Sequence, residues 1–417
     1  MIAIEIRNQC TIRPFGVPAR RLRIVGRPLW QHHRDVLLHF GITECLQAAS
    51  LADLQRIPFQ EAVVYRDDLF FNLDLVSAFL KEARAGGKPS QMGFSAEDPW
   101  MSEHAVWLQS VIERKRDAYS VPFYYLPQGY SERVQLRLMS SSAQEAWYLA
   151  LPTTDHYLRK GLYLDAEMPD RLKFSPCRLF VPRRYLLVIE SWVHLLLANV
   201  LLGIYSEATS LDETVGNPWF RKRLALRSFL ERTSPISCSE MVRIGQDCRI
   251  DPTATLLGPT SVGDGSIIGP GATVVASVVG QNVTLGQGSQ VRLSVLEDGC
   301  TFPHEGGAIW SHIMERAIIN STVGFSVIGS GSFVGRGVHV TDRVLAGNSI
   351  TDENLGGEMV RTWHRGRLEY TGLFFLGCAV APNVKIASGQ IVYPGRIVEH
   401  DLVRLSRAVE DTSSMTT

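Results

Sequence analysis

A six-residue period of apolar positions organises the C-terminal half of this chain. From residue 242 onward an aliphatic residue occurs at every sixth position, with glycine, aspartate, proline and serine between them: Ile244, Ile250, Leu256, Val262, Ile268 and Val274. This period matches neither the 3.6 residues of an α-helical turn nor the alternation of a single strand. It predicts short strands joined by tight turns, three strands to a coil, with the sixth-position residues stacked along the coil axis.

The ladder resumes after each of several interruptions. Its later members are Val279, Leu285 and Val291, then Ile328, Val334 and Val340, and finally Val380, Ile386, Val392 and Val398. We expect the interruptions to leave the coil as loops, including residues 300–312, which read CTFPHEGGAIWSH. A glycine-rich β-sandwich is the alternative, but sandwich strands alternate with a period of two and show no six-residue ladder.

The N-terminal half has the mixed pattern of an α/β domain. A helix is predicted over 30–40, and the stretch AVVYRDDLFFNLDLVSAFLKEARAGG at 62–87 predicts a buried strand, an acidic turn and a helix. The apolar stretch at 185–205 is long enough to cross a membrane, but it contains Glu190, His194 and Asn199. Because ionisable groups are costly at bilayer depth, we expect a buried helix, with His194 a hydrogen-bonded core imidazole rather than a ligand.

A basic amphipathic helix is predicted over 218–232, where it would cap the first coil and shield its open strand edge. We therefore expect an α/β domain over 1–205, a linker with this helix over 206–236, the coil over 237–402, and a flexible tail over 403–417.

Composition limits the classes of function. The 42 basic residues balance the 42 acidic ones, which argues against a general nucleic-acid-binding protein. Seven scattered cysteines without CxxC spacing are typical of reduced thiols in a cytoplasmic protein. The N-terminus has no apolar core of a secretory signal, so we expect a protein without signal peptide or transmembrane segment.

Residues 348–398 suggest a family. A polar excursion there ends in YTG, and two coils then close on YPGRIV. Together with the repeat, this segment resembles the C-terminal end of bifunctional sugar-phosphate nucleotidyltransferase/acetyltransferases, particularly the archaeal-type members. The resemblance implies a left-handed parallel β-helix, an N-terminal nucleotidyltransferase-like domain, a homotrimer, and acetyl-CoA or another acyl-CoA bound between neighbouring helices. The implied acceptor is a sugar phosphate or a sugar nucleotide.

The N-terminal half follows this family only in part. Asp67 is the nearest match to the family's metal-binding aspartate, with Asp68 beside it, so the pair is a candidate site for Mg²⁺. Three arginines of the basic segment are candidates for binding a nucleotide or phosphate: Arg13, Arg20 and Arg27. The alternatives are a solvated acidic turn and solvated surface arginines.

Two departures indicate a degenerate nucleotide pocket. The family's glycine-rich phosphate loop is replaced by EIRNQCTIR, which has no glycine. Only about twenty residues separate Cys45 from Asp67, where the family builds its base and ribose pocket from several elements.

Acetyl transfer needs a general base, for which histidine is suited because its pKa lies near neutrality. The family's catalytic histidine does not carry over, since the register places Ile319 or Asn320 at its position. His304 is the candidate replacement, with Glu305 to orient it; the alternative is a polar histidine without a role. Candidates for the substrate or acyl-donor groove are Arg336, His339, Asp342 and His312, the last of which also reads as an ordinary outward-pointing residue of a coil.

Three hypotheses follow. The chain is an acyltransferase acting on a sugar phosphate or sugar nucleotide, with a non-catalytic N-terminal domain. Alternatively, it is a non-enzymatic trimeric scaffold or ligand-binding regulator. The third hypothesis, an active sugar-1-phosphate nucleotidyltransferase, is disfavoured by the missing glycine loop.

Overall fold

The computed structural model describes residues 1–141, 162–165, 178–204, 218–232, 238–340 and 359–403. Asp342, the expected hinge at 206–217 and nearly all of the expected tail lie outside the described residues. The described chain forms an N-terminal α/β domain followed by a long stack of parallel strands. Both parts of the predicted fold class are confirmed.

The N-terminal domain is built on a mixed sheet. In spatial order its strands are Cys45–Ala48, Ile2–Ile6, Ala62–Arg66, Ala118–Leu126, Ser90–Ser95 and Gln135–Met139, with Glu113–Lys115 pairing with Ala118–Leu126. Ala118–Leu126 runs antiparallel to both of its main neighbours, whereas the other pairs along this order are parallel. Smaller antiparallel pairs are Thr11–Ile12 with Val17–Pro18, Arg23–Ile24 with Arg27–Pro28, Leu69–Phe71 with Leu186–Val188, and Leu162–Asp165 with Arg178–Val181.

Helices cover one face of this sheet. Helix α1 (Leu29–Leu38) and helix α2 (Leu73–Gly86) pack on it through their apolar stripes. The side chain of Asn72 caps α2 by accepting a hydrogen bond from the Leu75 amide, and Gly87 ends it in the left-handed region. The remaining short helices are Ala19–Arg21, Leu51–Arg56 and Met101–Ala105, with Ser239–Met241 before the coil.

The C-terminal strands form three parallel faces of a β-helix. The first face contains Val242–Ile244, Thr260–Val262, Val278–Val279, Val295–Leu296, His312–Ile313, Val327–Ile328, Ala379–Val380 and Ile397–Val398. The second contains Arg249–Ile250, Ile267–Ile268, Thr284–Gln287, Thr301–His304, Ile318–Ile319, Phe333–Val334 and Lys385–Ile386. The third contains Thr255–Leu257, Thr273–Val275, Gln290–Arg292, Gly307–Ile309 and Thr322–Gly324, followed by the pair His339–Val340 and Ile391–Val392.

The predicted ladder forms the interior of this β-helix. Val262, Ile268 and Val274, one on each face, belong to a single buried cluster with the later ladder residues. The structure differs from the expectation at residues 300–312, which stay in the coil rather than leaving it as a loop. Corners there are shortened instead: Val295 pairs with His312, 17 residues on, and His312 pairs with Val327, 15 residues on. A true excursion follows, since Val327 pairs next with Ala379; it includes the hairpin Arg361–His364 and Arg367–Tyr370.

The N-terminal domain covers the outer side of the first face. Val295, Val327 and Ala379 point away from the coil interior and belong to the core of the N-terminal domain. Helix α3 (Trp192–Leu196) continues as a π-helical segment, Leu197–Gly203, and is buried throughout. The expectation of a buried helix is confirmed, and within the described ranges no helix has the length and apolar character required to cross a bilayer. Helix α4 (Pro218–Glu231) comes before the coil.

Candidate functional site

A cleft of about 320 Å³ opens at the carboxyl ends of two central strands. Strand Ile2–Ile6 has Cys45–Ala48 on one side and Ala62–Arg66 on the other, so the chain crosses from one side of it to the other at this point. In open α/β sheets such a switch point creates a crevice where ligands bind. The lining side chains are Arg7, Asn8, Gln9, Pro18, Arg20, Arg21 and Asp67.

Two buried carboxylates lie at the floor of this cleft. The backbone amide of Asn8 donates to Asp67 Oδ1 at 2.8 Å, and its side-chain amide donates to Asp68 Oδ2 at 2.7 Å. Arg66 Nε donates to Asp68 Oδ1 at 3.0 Å. Asp67 and Asp68 are 2% and 1% exposed, so the alternative of a solvated acidic turn is wrong. The turn is buried because the strand Leu69–Phe71 continues into the core directly after it.

Asp67 keeps one unsatisfied oxygen. Among the described residues, its buried Oδ2 has no hydrogen-bond partner, and the nearest cation is Arg20 Nε at 3.7 Å. Burial raises the pKa of Asp67 from its ordinary value of 3.8 to about 6, against the hydrogen bond from Asn8, and the charges of Asp68 and Glu5 raise it further. A buried oxygen without a donor at the floor of a cleft is a position for a ligand hydroxyl, amide or ammonium group.

The predicted basic segment does not converge on this cleft. Arg13 makes a two-bond ion pair with Glu399 of the β-helix, and Arg27 pairs with Asp35 on α1. Only Arg20 of the three candidates lines the cleft, where it lies 3.4 Å from buried Glu5.

Sequence reasoning missed Glu5, Arg7 and Asn8, which complete this site. Arg7 Nε lies 3.2 Å from Glu5 Oε2, so both arginines share one buried carboxylate. The signal was present in the sequence, because Arg7 and Asn8 follow immediately after the first strand.

The cleft does not fit Mg²⁺ as the family would hold it. Both oxygens of Asp68 already accept hydrogen bonds from Arg66 and Asn8, which leaves only Asp67 Oδ2 as a free carboxylate oxygen. The described residues contain no group of three or more metal-ligating side chains. Since Mg²⁺ prefers several oxygen ligands in octahedral array, we derive no metal-dependent step here.

His304 lies at the corner between the second and third faces. It ends the strand Thr301–His304, is exposed, and pairs in register with Gln287 of the preceding coil. Glu305 turns the corner with a left-handed φ of 51° and is exposed beside it. The imidazole is therefore held on a regular strand end at an edge that the N-terminal domain leaves open.

Arg336 and His339 lie farther along the same edge. Both are exposed, and the Arg336 amide donates to Ser388 Oγ at 3.1 Å. His339 begins the strand His339–Val340, which continues the third face two coils beyond His304. At about 4.8 Å per coil, the two histidines are separated by about 10 Å along the axis. They line one edge without direct contact.

His312 lies on a different face. It points outward, as one interpretation predicted, but the outer side of the first face is covered by the N-terminal domain, and His312 is fully buried. Its Nε2 lies 3.0 Å from Oε1 of Glu297, whose Oε2 accepts a hydrogen bond from the Glu315 amide. The structure therefore does not bring His312 together with His304, and it adds Glu297, which the sequence did not single out.

His194 is a hydrogen-bonded core residue, as predicted. Its Nδ1 accepts from the Glu190 amide at 3.1 Å, so Nε2 carries the proton and donates to the Trp107 carbonyl at 2.7 Å. Burial lowers the pKa of His194 to about 4.

Comparisons with known proteins confirm the predicted resemblance. Residues 241–276 match the family described as bacterial transferase hexapeptide (six repeats). The bifunctional protein GlmU of an Exiguobacterium species is 26% identical over 229 residues, which cover 48% of this chain and 49% of that protein. GlmU of Streptococcus agalactiae is 29% identical over 139 residues, or 33% of this chain and 24% of that protein. The chain thus spans about half or less of the length of these curated relatives.

Among solved structures, a Bacillus cereus protein assigned as an acetyltransferase covers 41% of this chain and 84% of its own, with 16% identity and a TM-score of 0.20. At this TM-score the similarity does not support a detailed superposition.

Proposed function

We propose that this chain, which carries the transferase hexapeptide repeat, is an acyltransferase acting on a sugar phosphate or sugar nucleotide. The observation that supports this most is the exposed His304 at the open edge of the β-helix, beside Gln287 and Glu305. Acetyl-CoA or another acyl-CoA is the proposed donor, and the β-helix is proposed to assemble as a homotrimer. A cytoplasmic location and the boundaries 1–205, 206–236, 237–402 and 403–417 complete the proposal.

In the proposed reaction, His304 accepts the proton of the acceptor's amine or hydroxyl group as that group attacks the thioester carbonyl. The new amide or ester bond forms as the carbon–sulfur bond breaks, and the coenzyme A thiolate leaves and takes up a proton. Glu305 positions the imidazole, while Arg336 and His339 are proposed to bind phosphate groups along the same edge.

The N-terminal cleft is proposed to bind part of a sugar phosphate without nucleotidyl transfer. Arg7, Arg20 and Arg21 supply cationic groups for a phosphate, and the unsatisfied Asp67 oxygen supplies an acceptor for a hydroxyl or amine. The absence of a glycine loop and the engagement of Asp68 by Arg66 argue against a working nucleotidyltransferase.

His304→Ala tests the proposed base. Turnover of acetyl-CoA with a panel of amino-sugar phosphates, measured as released thiol, should fall about 100-fold or more, because a positioned general base contributes about that factor. The thermal shift produced by acetyl-CoA should persist in this variant. His400→Ala is the matched control, since His400 is also an exposed histidine of the β-helix and should leave turnover unchanged.

A non-enzymatic regulator is the second candidate, favoured by the shared core that joins the first face of the β-helix to the N-terminal domain. The same assay separates the two. A wild-type protein that shows no acetyl-CoA thermal shift and no thiol release would exclude the acyltransferase and favour the regulator.

A further inference from the structure

Helix α4 exposes a set of large apolar side chains to solvent. Trp219 is 77% exposed and Phe229 80%, and Leu226 and Leu230 are also largely exposed. At 100° per residue, Trp219, Leu226 and Leu230 point within about 40° of one another. They form a continuous stripe along the helix, and we call the four residues the apolar stripe of α4. Such a concentration on one short helix marks an interaction surface.

The opposite side of α4 fixes the helix to the body of the protein. Leu224 is buried against Cys238 and Met241, which lie directly before the first coil, and Phe220 packs on the same cluster. Arg223 donates to Glu240 Oε2 at 2.8 Å, and Arg227 pairs with Glu231 at 3.1 Å. The helix is therefore held in place by one side, and the apolar stripe is directed away from the contacts that hold it.

Basic residues border the stripe. Lys222 and Arg223 lie on either side of Trp219 and Leu226 around the helix, and Lys222 Nζ lies 5.3 Å from the centre of the Trp219 ring. The segment 218–232 contains five basic residues, Arg221, Lys222, Arg223, Arg227 and Arg232, against one acidic residue, Glu231. Its acidic neighbours, Glu231 and Glu240, are engaged on the side facing the protein.

We propose that the apolar stripe of α4 docks the protein on an anionic lipid surface. An aromatic and leucine stripe bordered by lysine and arginine is the composition of helices that lie in the plane of a membrane interface. Negatively charged headgroups would complement Lys222, Arg223 and Arg232 while Trp219, Phe229 and the leucines enter the acyl boundary. A second copy of α4 is a poorer occupant, because stripe-to-stripe packing would bring two basic borders together.

Sedimentation with lipid vesicles tests this proposal on the full chain. The wild-type protein should sediment with vesicles of equimolar phosphatidylcholine and phosphatidylglycerol, and it should stay in solution with phosphatidylcholine alone. Added salt should weaken the binding, because it screens the headgroup charges. Leu226→Ser/Phe229→Ser should reduce the partition coefficient at least about tenfold, since it removes two of the four inserted side chains.

Leu138→Ser/Leu368→Ser is the matched control, because both residues are exposed leucines outside α4. This control should bind the mixed vesicles like the wild type, and circular dichroism should show both double variants folded. Equal binding to both kinds of vesicle, or wild-type binding by the α4 variant, would overturn the proposal. So would the absence of vesicle binding combined with a loss of oligomer mass in the α4 variant, which would assign the stripe to contact between copies.

Discussion

At the scale of single residues, the burial of Asp67 costs free energy that depends on pH. Its pKa is raised from 3.8 to about 6 chiefly by burial, so the folded state holds this proton more tightly than the unfolded state does. The cost is therefore absent below about pH 4, grows between about pH 4 and pH 6, and is complete above that window. A carboxylate kept at such a cost in a ligand-sized cleft is typical of a functional group.

Asp67→Asn removes the ionisation and keeps an oxygen that accepts from the Asn8 amide. We expect this variant to match the wild type near pH 4 and to exceed it in free energy of unfolding by about 1–2 kcal/mol at pH 7.5. Chemical unfolding at the two pH values measures the difference. Asp117→Asn, at an exposed turn, serves as the control and should show no such pH-dependent gain. A gain of equal size at both pH values would contradict the assignment to ionisation.

At the scale of elements, a ladder of hydroxyl groups joins successive coils at the corner between the third and first faces. Ser277, Ser294 and Ser311 are 17 residues apart, and each buried hydroxyl accepts a hydrogen bond from the backbone amide of the next member. Each also donates to a carbonyl two residues before it. The ladder continues through Ser326 to the amide of Cys378 and so bridges the long excursion.

Ser294→Ala should leave the Ser311 amide buried without an acceptor. Leaving a buried donor unsatisfied costs about 1–3 kcal/mol, so the protection of this amide against hydrogen exchange should fall about 5- to 150-fold. Hydrogen–deuterium exchange on a peptide spanning 308–314 measures the loss. Ser330→Ala, at a partly exposed turn, is the control and should leave exchange at Ser311 unchanged. Full protection of Ser311 in the Ser294 variant would show that the ladder does not hold the coils.

The six-residue ladder was sufficient to predict the coil, because the interior accepts only apolar side chains such as Val274 and Leu285. It was not sufficient to predict the corners. A shortened coil looks like an interruption when positions are counted in sixes, which is why residues 300–312 were expected to leave as a loop. The recurrence of serine every 17 residues carries that information, but it is visible only once the length of a coil is allowed to vary.

At the scale of the whole molecule, the sequence predicted both domains but not how they pack. Val295, His312 and Val327 look like ordinary outward positions of a coil, and their burial depends on the N-terminal domain that covers them. The same holds for the polar links between the domains, in which Arg23 donates to Asp298 at 3.0 Å and Trp192 Nε1 donates to Thr362 Oγ1 at 3.0 Å. Such contacts join residues far apart in sequence, and no local period encodes them.

Val327→Asp tests whether this shared core couples the two domains. Calorimetry of the wild type should show the N-terminal domain and the β-helix unfolding together, because Val295, Val327 and Ala379 complete one apolar cluster with the N-terminal core. A charge at Val327 would be buried without a partner and should lower the melting temperature by at least about 5 °C or split the transition. Val275→Asp, outward on the open third face, is the matched control and should change the melting temperature by less than about 2 °C. Equal effects at the two positions would show that covering the first face adds no stability, and the β-helix would then act as an independent unit to which the N-terminal domain is merely attached.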